Sequence, residues 1–324
     1  MKALILAGGE GTRLRPLTYA TPKSLLPICN RPFLEHQLLL MRRHGITEAM
    51  LLTGYLAEAF DPFVARMSGE GIRLEIVRET APLGTAGAVR NVLDRLDGTT
   101  VVFNGDVLTD LDLTALVASH HERGAAATLT LTPVADAGPY GLVPLDAAGR
   151  VEAFLEKPPP EVARRGGLIN AGTYLLEPEV LAGVPAGVMW SFERQVFPSL
   201  VEEGRPVFGF ASDAYWLDIG TRERYLRAQW DVLDGRVRVA EPVGRRTGEV
   251  LLGDGADAGG AAGPAVLGDG ARAEKGSRLE RAVLHEGARV GAGAVVRDAV
   301  VGAGAVVEAG AVCDQSMLGA DDSL

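Results

Sequence analysis

The sequence predicts an α/β region with a mixed, mostly parallel sheet, followed by a parallel β-helix. Three observations carry that prediction. Short apolar runs alternate with helical periodicities up to Gly124, as parallel sheets with right-handed crossovers require. A glycine-rich loop follows the first apolar run directly. The last stretch of the chain repeats with a period close to six residues, which marks a solenoid.

The elements follow in order. Ala3 to Ala7 is a brief, continuous apolar run bounded by glycines, which reads as a buried strand. A helix starts near Asn30-Arg31-Pro32-Phe33, with Leu34, Leu38 and Met41 on one face and Gly45 as its stop. Strands are expected at Ala49–Thr53, Ile72–Val77 and Thr100–Asn104, with helices at 57–67 and 85–96. Asp110 and Asp112 read as helix-start residues before Leu113. From Ala126 strands dominate: 128–134, 141–145, 150–155, 169–176 and 207–210. A closing helix covers 221–233, with Tyr225, Leu226, Gln229 and Trp230 at helical spacing.

Residues 1–234 are therefore expected to form one domain, 235–249 a linker with Pro242, Gly244 and Gly248, and 250–324 the repeat domain. In the repeats, Val290-Gly-Ala-Gly-Ala-Val-Val296 recurs as Val301-Gly-Ala-Gly-Ala-Val-Val307. Ala288, Ala294, Ala299, Ala305 and Ala311 step by six, five, six and six residues. Residues 253–263 lack large apolar side chains, so their assignment to coils stays open. His285, alone in the repeats, reads as structural.

The loop after the first strand turns through Gly8, Gly9 and Gly11. Glycines let a ligand approach the main chain, and successive N–H groups form an anion-binding nest. Arg13, Arg15 and Lys23 follow closely and form, with the nest, a candidate phosphate cradle. A Walker loop is excluded, because no Lys-Ser/Thr stands at the required spacing. A dinucleotide fingerprint is excluded too, since Leu14 occupies the place of its third glycine.

The run Gly8-Gly9-Glu10-Gly11-Thr12-Arg13-Leu14-Arg15-Pro16, followed by Pro22-Lys23, resembles the signature of sugar-1-phosphate nucleotidyltransferases, the nucleotide-sugar pyrophosphorylases. The resemblance extends through 1–234 and is closest to the guanylyltransferases of mannose 1-phosphate. It implies a Rossmann-like nucleotidyltransferase domain with an appended left-handed β-helix of hexapeptide repeats. It also implies attack by a sugar-1-phosphate oxygen on the α-phosphate of a nucleoside triphosphate, releasing pyrophosphate. The nucleophile is already an anion, so the task is to align two polyanions and neutralise charge with cations and Mg²⁺.

By that resemblance Arg13, Lys23, Asp106 and Asp218 are the catalytic candidates, with Asp106 and Asp218 as the metal ligands. Asp106 ends the run Phe103-Asn104-Gly105-Asp106, and Asp218 lies in Tyr215-Trp-Leu-Asp-Ile-Gly220. Nucleotide binding is expected from Leu6, Ala7, Gly8, Gly9, Gly11, Thr12, Arg13 and Lys23, with Arg15 a further phosphate candidate. Asn104 and Gly105 join them, as do Glu79, Pro82, Gly84 and Thr85 of a loop that resembles the one cupping the nucleobase. The sugar phosphate is assigned to Gly141, Glu156, Lys157, Asn170 and Gly172.

Composition narrows the rest. With a hydrophobic fraction of 47% over 324 residues, a large core is assured. A net charge of -10 argues against a nucleic-acid groove while leaving room for a small anionic ligand. Cys29 and Cys313 lie in different regions and suggest no disulfide framework. No apolar run approaches membrane-spanning length, and Met1-Lys2 leads straight into a strand, so a cytoplasmic enzyme is expected. Open solenoid ends predict a homo-oligomer formed through the β-helix. The rival expectations are another sugar 1-phosphate or nucleotide, a non-catalytic nucleotide-sugar sensor, and an acyltransferase activity in the tail.

Overall fold

A computed structural model describes every residue except Ala262, which is the one position of the 253–263 stretch lying outside the described residues. The chain divides into two compact units. The first comprises Met1–Gly9 with Leu40–Trp216, and the second Glu10–Leu39 with Leu217–Leu324.

The first unit holds a nine-stranded mixed sheet. Its strands are β1 (Lys2–Leu6), β2 (Glu48–Thr53), β3 (Arg73–Arg78), β4 (Thr100–Asn104), β5 (Ala127–Val134), β6 (Gly141–Leu142), β7 (Leu155–Glu156), β8 (Gly167–Leu176) and β9 (Val207–Ala211). Their order is β7-β6-β8-β4-β1-β2-β3, with β5 pairing β8 and β9. β1 runs parallel to both β2 and β4, whereas β8 is antiparallel to β4 and β5. The alternating half of the sequence thus makes the parallel part, and the strand-rich half makes the mixed part.

β1 and β4 read as continuous apolar runs because both faces of a parallel sheet are covered; Leu4, Ile5, Val102 and Phe103 are buried. β2 leads away from β1 on one side while β4 lies on the other. Strand order therefore reverses between β1 and β4, the position at which such sheets bind ligands. α1 (Phe33–Arg43) starts one residue beyond Pro32, with Leu34, Leu38 and Met41 fully buried. Asp112 caps α2 (Leu113–Glu122) through the Ala115 N–H. Asp110 does something else: its carboxylate accepts the Tyr215 N–H at 2.9 Å. The expected strand over 150–155 shortens to β7, because Asp146 and Arg150 close a tight turn there.

In the second unit the repeats form a parallel β-helix. Register links Ala265 to Ala282, Val283 to Val300 and Val300 to Met317, each step being 17 residues. The same step links Arg272 to Arg289 to Val306, and Arg278 to Val295 to Val312. One coil is therefore three faces, and the six-five-six spacing of the small residues is its perimeter. Ala288, Ala294, Ala299 and Ala305 all point inward with no exposure. The corners keep the same register: Arg281, Asp298 and Gln315 all have positive φ, one above the next. Because such a conformation strains most side chains, the stack is tied externally by Arg281–Asp298 at 2.7 Å and Arg297–Glu280 at 2.8 Å. Within the expected linker, Arg245–Thr247 forms a strand antiparallel to Val250–Leu252. No helix among the described residues is long and apolar enough to cross a membrane.

Candidate functional site

In the first unit, the glycine loop and the Asn104–Asp106 turn leave adjacent strand ends. The Gly105 N–H donates to the Leu6 carbonyl at 2.9 Å. A Cβ on Gly105 would stand 2.5 Å from that oxygen, so the approach needs glycine. Ala7 donates to Leu52 and Tyr55 to Gly8, which ties the loop to the end of β2 as well. The loop that begins at Ala7 and the turn that carries Asp106 thus leave neighbouring strands at the point where strand order reverses.

Glu79, just beyond β3, folds back to accept the Leu83 N–H at 3.2 Å, and burial raises its pKa. That bond closes a ring over Thr80-Ala-Pro82, ahead of α3 (Gly84–Arg90). Gly84 and Thr85 open α3 against a strap at 188–193: Trp190 O accepts from Ala86 N at 2.9 Å and Gly87 N at 3.1 Å.

The proposed sugar residues meet at the other side of β4. Gly141 pairs with Glu156 across β6 and β7, and its missing side chain leaves room for the Glu156 carboxylate. Burial first, and then the nearby Glu193, push the Glu156 carboxyl upward in pKa. Lys157 is exposed, adopts positive φ, and donates its N–H to the Tyr140 carbonyl. Asn170 Oδ1 accepts the Gly172 N–H at 3.1 Å within a register shift of β8, while its Nδ2 donates to the Tyr174 hydroxyl at 2.7 Å. Asn104 also hydrogen bonds to that hydroxyl. Desolvation holds the buried Tyr174 phenol far above its usual range.

In the second unit, Gly11 takes a left-handed conformation and its carbonyl accepts from Thr18 Oγ1 at 3.0 Å. Thr12 and Arg13 follow in a single helical turn. Arg15 is drawn aside by Glu10 at 2.7 Å and lies over the Tyr19 ring. The Asp218 carboxylate gathers three cations: Arg224 at 3.0 Å, Lys23 at 3.5 Å and Arg13 at 3.9 Å. Arg13 remains 62% exposed, whereas Lys23 and Asp218 are 12% and 16% exposed. A positive cluster around one carboxylate suits a polyanionic ligand. Arg224 was not expected from the sequence; its signal is the short reach from Asp218 to the first turn of the closing helix (Arg222–Leu233), capped by Thr221.

Lys23 leads into a small hairpin, Pro27–Ile28 with Arg31–Pro32, turned by Cys29 and Asn30, both at positive φ. The closing helix holds that hairpin. Gln229 accepts the Cys29 N–H at 2.6 Å and donates to the Pro27 carbonyl at 2.8 Å. Tyr225 donates to the same carbonyl, and His285 Nε2 lies 3.0 Å from its hydroxyl. Burial pushes the Cys29 thiol up to about 12 and the His285 imidazole down to about 4, so neither acts as an acid or base near neutrality. His285 is structural, as expected.

Among the described residues, no three His, Cys, Asp or Glu side chains form a metal-holding cluster.

Comparison with known proteins bears on all of this. Residues 2–235 match the family model described as Nucleotidyl transferase. A mannose-1-phosphate guanylyltransferase of Mycobacterium tuberculosis is 40% identical over 86% of this chain and 78% of that protein. A UTP–glucose-1-phosphate uridylyltransferase of Synechocystis is 36% identical over 74% of this chain and 65% of that protein. HddC from Yersinia pseudotuberculosis, solved in complex with GMP-PN, superposes with a TM-score of 0.61 at 28% identity. That match covers 71% of this chain and 98% of HddC.

Proposed function

The chain belongs to the nucleotidyl transferase family, and from that premise we propose that it makes GDP-mannose from GTP and mannose 1-phosphate. The observation that supports the reading is the Gly105–Leu6 bond, which holds the Asn104–Asp106 turn against the end of β1, where the glycine loop begins and strand order reverses. Support for guanine and mannose comes from the 40% identical relative.

Chemically, a phosphate oxygen of the sugar 1-phosphate bonds to the α-phosphorus as the bridge to the β-phosphate breaks. Pyrophosphate leaves with the electron pair. The backbone of Leu6, Ala7, Gly8, Gly9, Gly11 and Thr12, together with Arg13 and Lys23, takes the triphosphate. Glu79, Pro82, Gly84, Thr85, Asn104 and Gly105 take the nucleoside. Glu156 accepts sugar hydroxyl protons, Lys157 meets the sugar phosphate, and Gly141, Asn170 and Gly172 line the sugar. Asp106 and Asp218 are oxygen donors suited to Mg²⁺, which when bound supplies charge neutralisation at the phosphates. The Arg13, Lys23 and Arg224 cluster around Asp218 is pre-set for that region of negative charge.

The enzyme is proposed to act in the cytoplasm as a homo-oligomer joined through the β-helix. The open ends of stacked coils, which must be capped or paired, support that reading. Pyrophosphate release tests the reading, with GTP, ATP, UTP and dTTP crossed against mannose, glucose and other sugar 1-phosphates. A dominant GTP and mannose 1-phosphate pair is expected. The Synechocystis relative makes UTP with glucose 1-phosphate the specific alternative. No release with any pair overturns the enzymatic reading.

A further inference from the structure

Glu193 has no part in the reading above, yet it lies between the two halves of the first unit's site. It sits in a π-helical turn, Phe192–Val196, capped by Ser191. Such turns are rare and concentrate where function demands local distortion. Its Oε2 accepts from Thr85 Oγ1 at 2.9 Å and from Ser191 Oγ at 2.6 Å. Its Oε1 accepts from the Tyr174 hydroxyl at 3.3 Å.

Each of these donors is committed. Thr85 Oγ1 accepts the Phe192 N–H at 2.9 Å, and Ser191 Oγ accepts the N–H groups of Glu193 and Arg194. The Tyr174 hydroxyl accepts Asn170 Nδ2. A hydroxyl has one proton to give. With their oxygens accepting elsewhere, all three direct that proton to Glu193. A carboxylate is the one side-chain group that takes three donors and offers none in return.

We propose that Glu193 is a positioning residue that fixes the sugar-binding amide of Asn170, through Tyr174, and joins it to the nucleobase loop at Thr85. The inference rests on the assignment of Asn170 to the sugar and Thr85 to the nucleoside. Glu193 touches neither substrate in this scheme. Its Oε1 arm orients Asn170, and its Oε2 arm anchors the start of α3. Trp190 adds to the second arm by receiving Ala86 and Gly87 and donating to Leu83. Base and sugar residues are thereby held on one carboxylate, and the sugar arm is the thinner of the two.

Glu193→Gln separates the arms. An amide oxygen at the Oε2 position still serves Thr85 and Ser191, while its NH₂ faces a Tyr174 hydroxyl that already accepts from Asn170. The Tyr174 hydroxyl then loses Glu193 as its acceptor, and Asn170 keeps only the Gly172 N–H to hold its orientation. In the pyrophosphate assay, the KM for the sugar 1-phosphate is expected to rise about tenfold, the scale of one lost buried hydrogen bond. The KM for GTP should stay within about twofold. Tyr174→Phe, which removes the same hydroxyl without touching the carboxylate, should reproduce the sugar effect. The double variant should be no worse than either single one, because both cut one chain.

An unmoved sugar KM in Glu193→Gln overturns the inference. So does an equal rise in both KM values, which signals general damage, or simple additivity in the double variant. If Glu193→Gln fails to fold, Tyr174→Phe with an unchanged sugar KM overturns it alone. A wild-type chain that releases no pyrophosphate overturns the functional reading, and this inference with it. An active wild type with unmoved variants overturns only the inference.

Discussion

His285 Nε2 lies 3.0 Å from the Tyr225 hydroxyl, and that hydroxyl gives its proton to the carbonyl of Pro27. A buried side chain of the β-helix thus supports the hairpin that follows Lys23. His36 donates its Nε2–H to the Ile28 carbonyl of the same hairpin, 3.2 Å away.

Burial lowers both imidazoles to about 4, so both are neutral in the folded chain where an unfolded chain would begin to protonate. Above an unfolded pKa of 6.5 neither contributes to pH dependence. As pH falls from about 6.5 toward 4 the unfolded state gains protons first, and stability is lost. Each histidine should cost roughly 3 kcal/mol by the low end of that window. Thermal melts from pH 7.5 to 4.5 should show Tm falling steeply below about 6.5, and His285→Gln should flatten the fall. An equal slope in the variant would remove His285 from the account.

Tyr225→Phe leaves His285 and the Pro27 carbonyl each short of one partner in a fully buried place. A loss of about 1–3 kcal/mol is expected on denaturant unfolding. A neutral result would mean that Gln229 alone secures the hairpin.

Asp218→Asn removes the charge on which Arg13, Lys23 and Arg224 converge. These ion pairs are partly solvated, so stability should change by no more than about 1 kcal/mol. Pyrophosphate release should fall by about 10²-fold or more, as expected for loss of a group that organises transition-state charge. Retention of full turnover would exclude Asp218 from the chemistry.

Chelation by EDTA should abolish turnover, and added Mg²⁺ should restore it. Removing the metal should leave the melting curve almost unchanged, since among the described residues no three His, Cys, Asp or Glu side chains cluster to hold it. A large drop in Tm on chelation would instead indicate a structural ion.

Gly105→Ala should destabilise the junction of β1 and β4. The added carbon would press to 2.5 Å from the Leu6 carbonyl oxygen and push β4 from β1. A loss of about 1–3 kcal/mol, read as a lowered Tm, is expected together with a loss of turnover.

Much of this protein was determined locally. The apolar runs of β1 and β4, the glycines after them and the six-five-six rhythm of alanines each encode a conformation through near neighbours alone. The parallel pairing of β1 with β4 and the repeating coils of the β-helix were therefore legible in the sequence. Only the tertiary structure decided the partnerships between distant residues. Arg224 and Lys23, whose numbers differ by 201, meet on Asp218, and Glu193 collects Thr85 and Tyr174 from two other elements. Asp110 left its expected helix-start role for the same cause, since Tyr215 reaches it from 105 residues away. Hydrogen bonds and ion pairs of this kind depend on where folded backbones bring their side chains, and residue spacing carries no record of that placement.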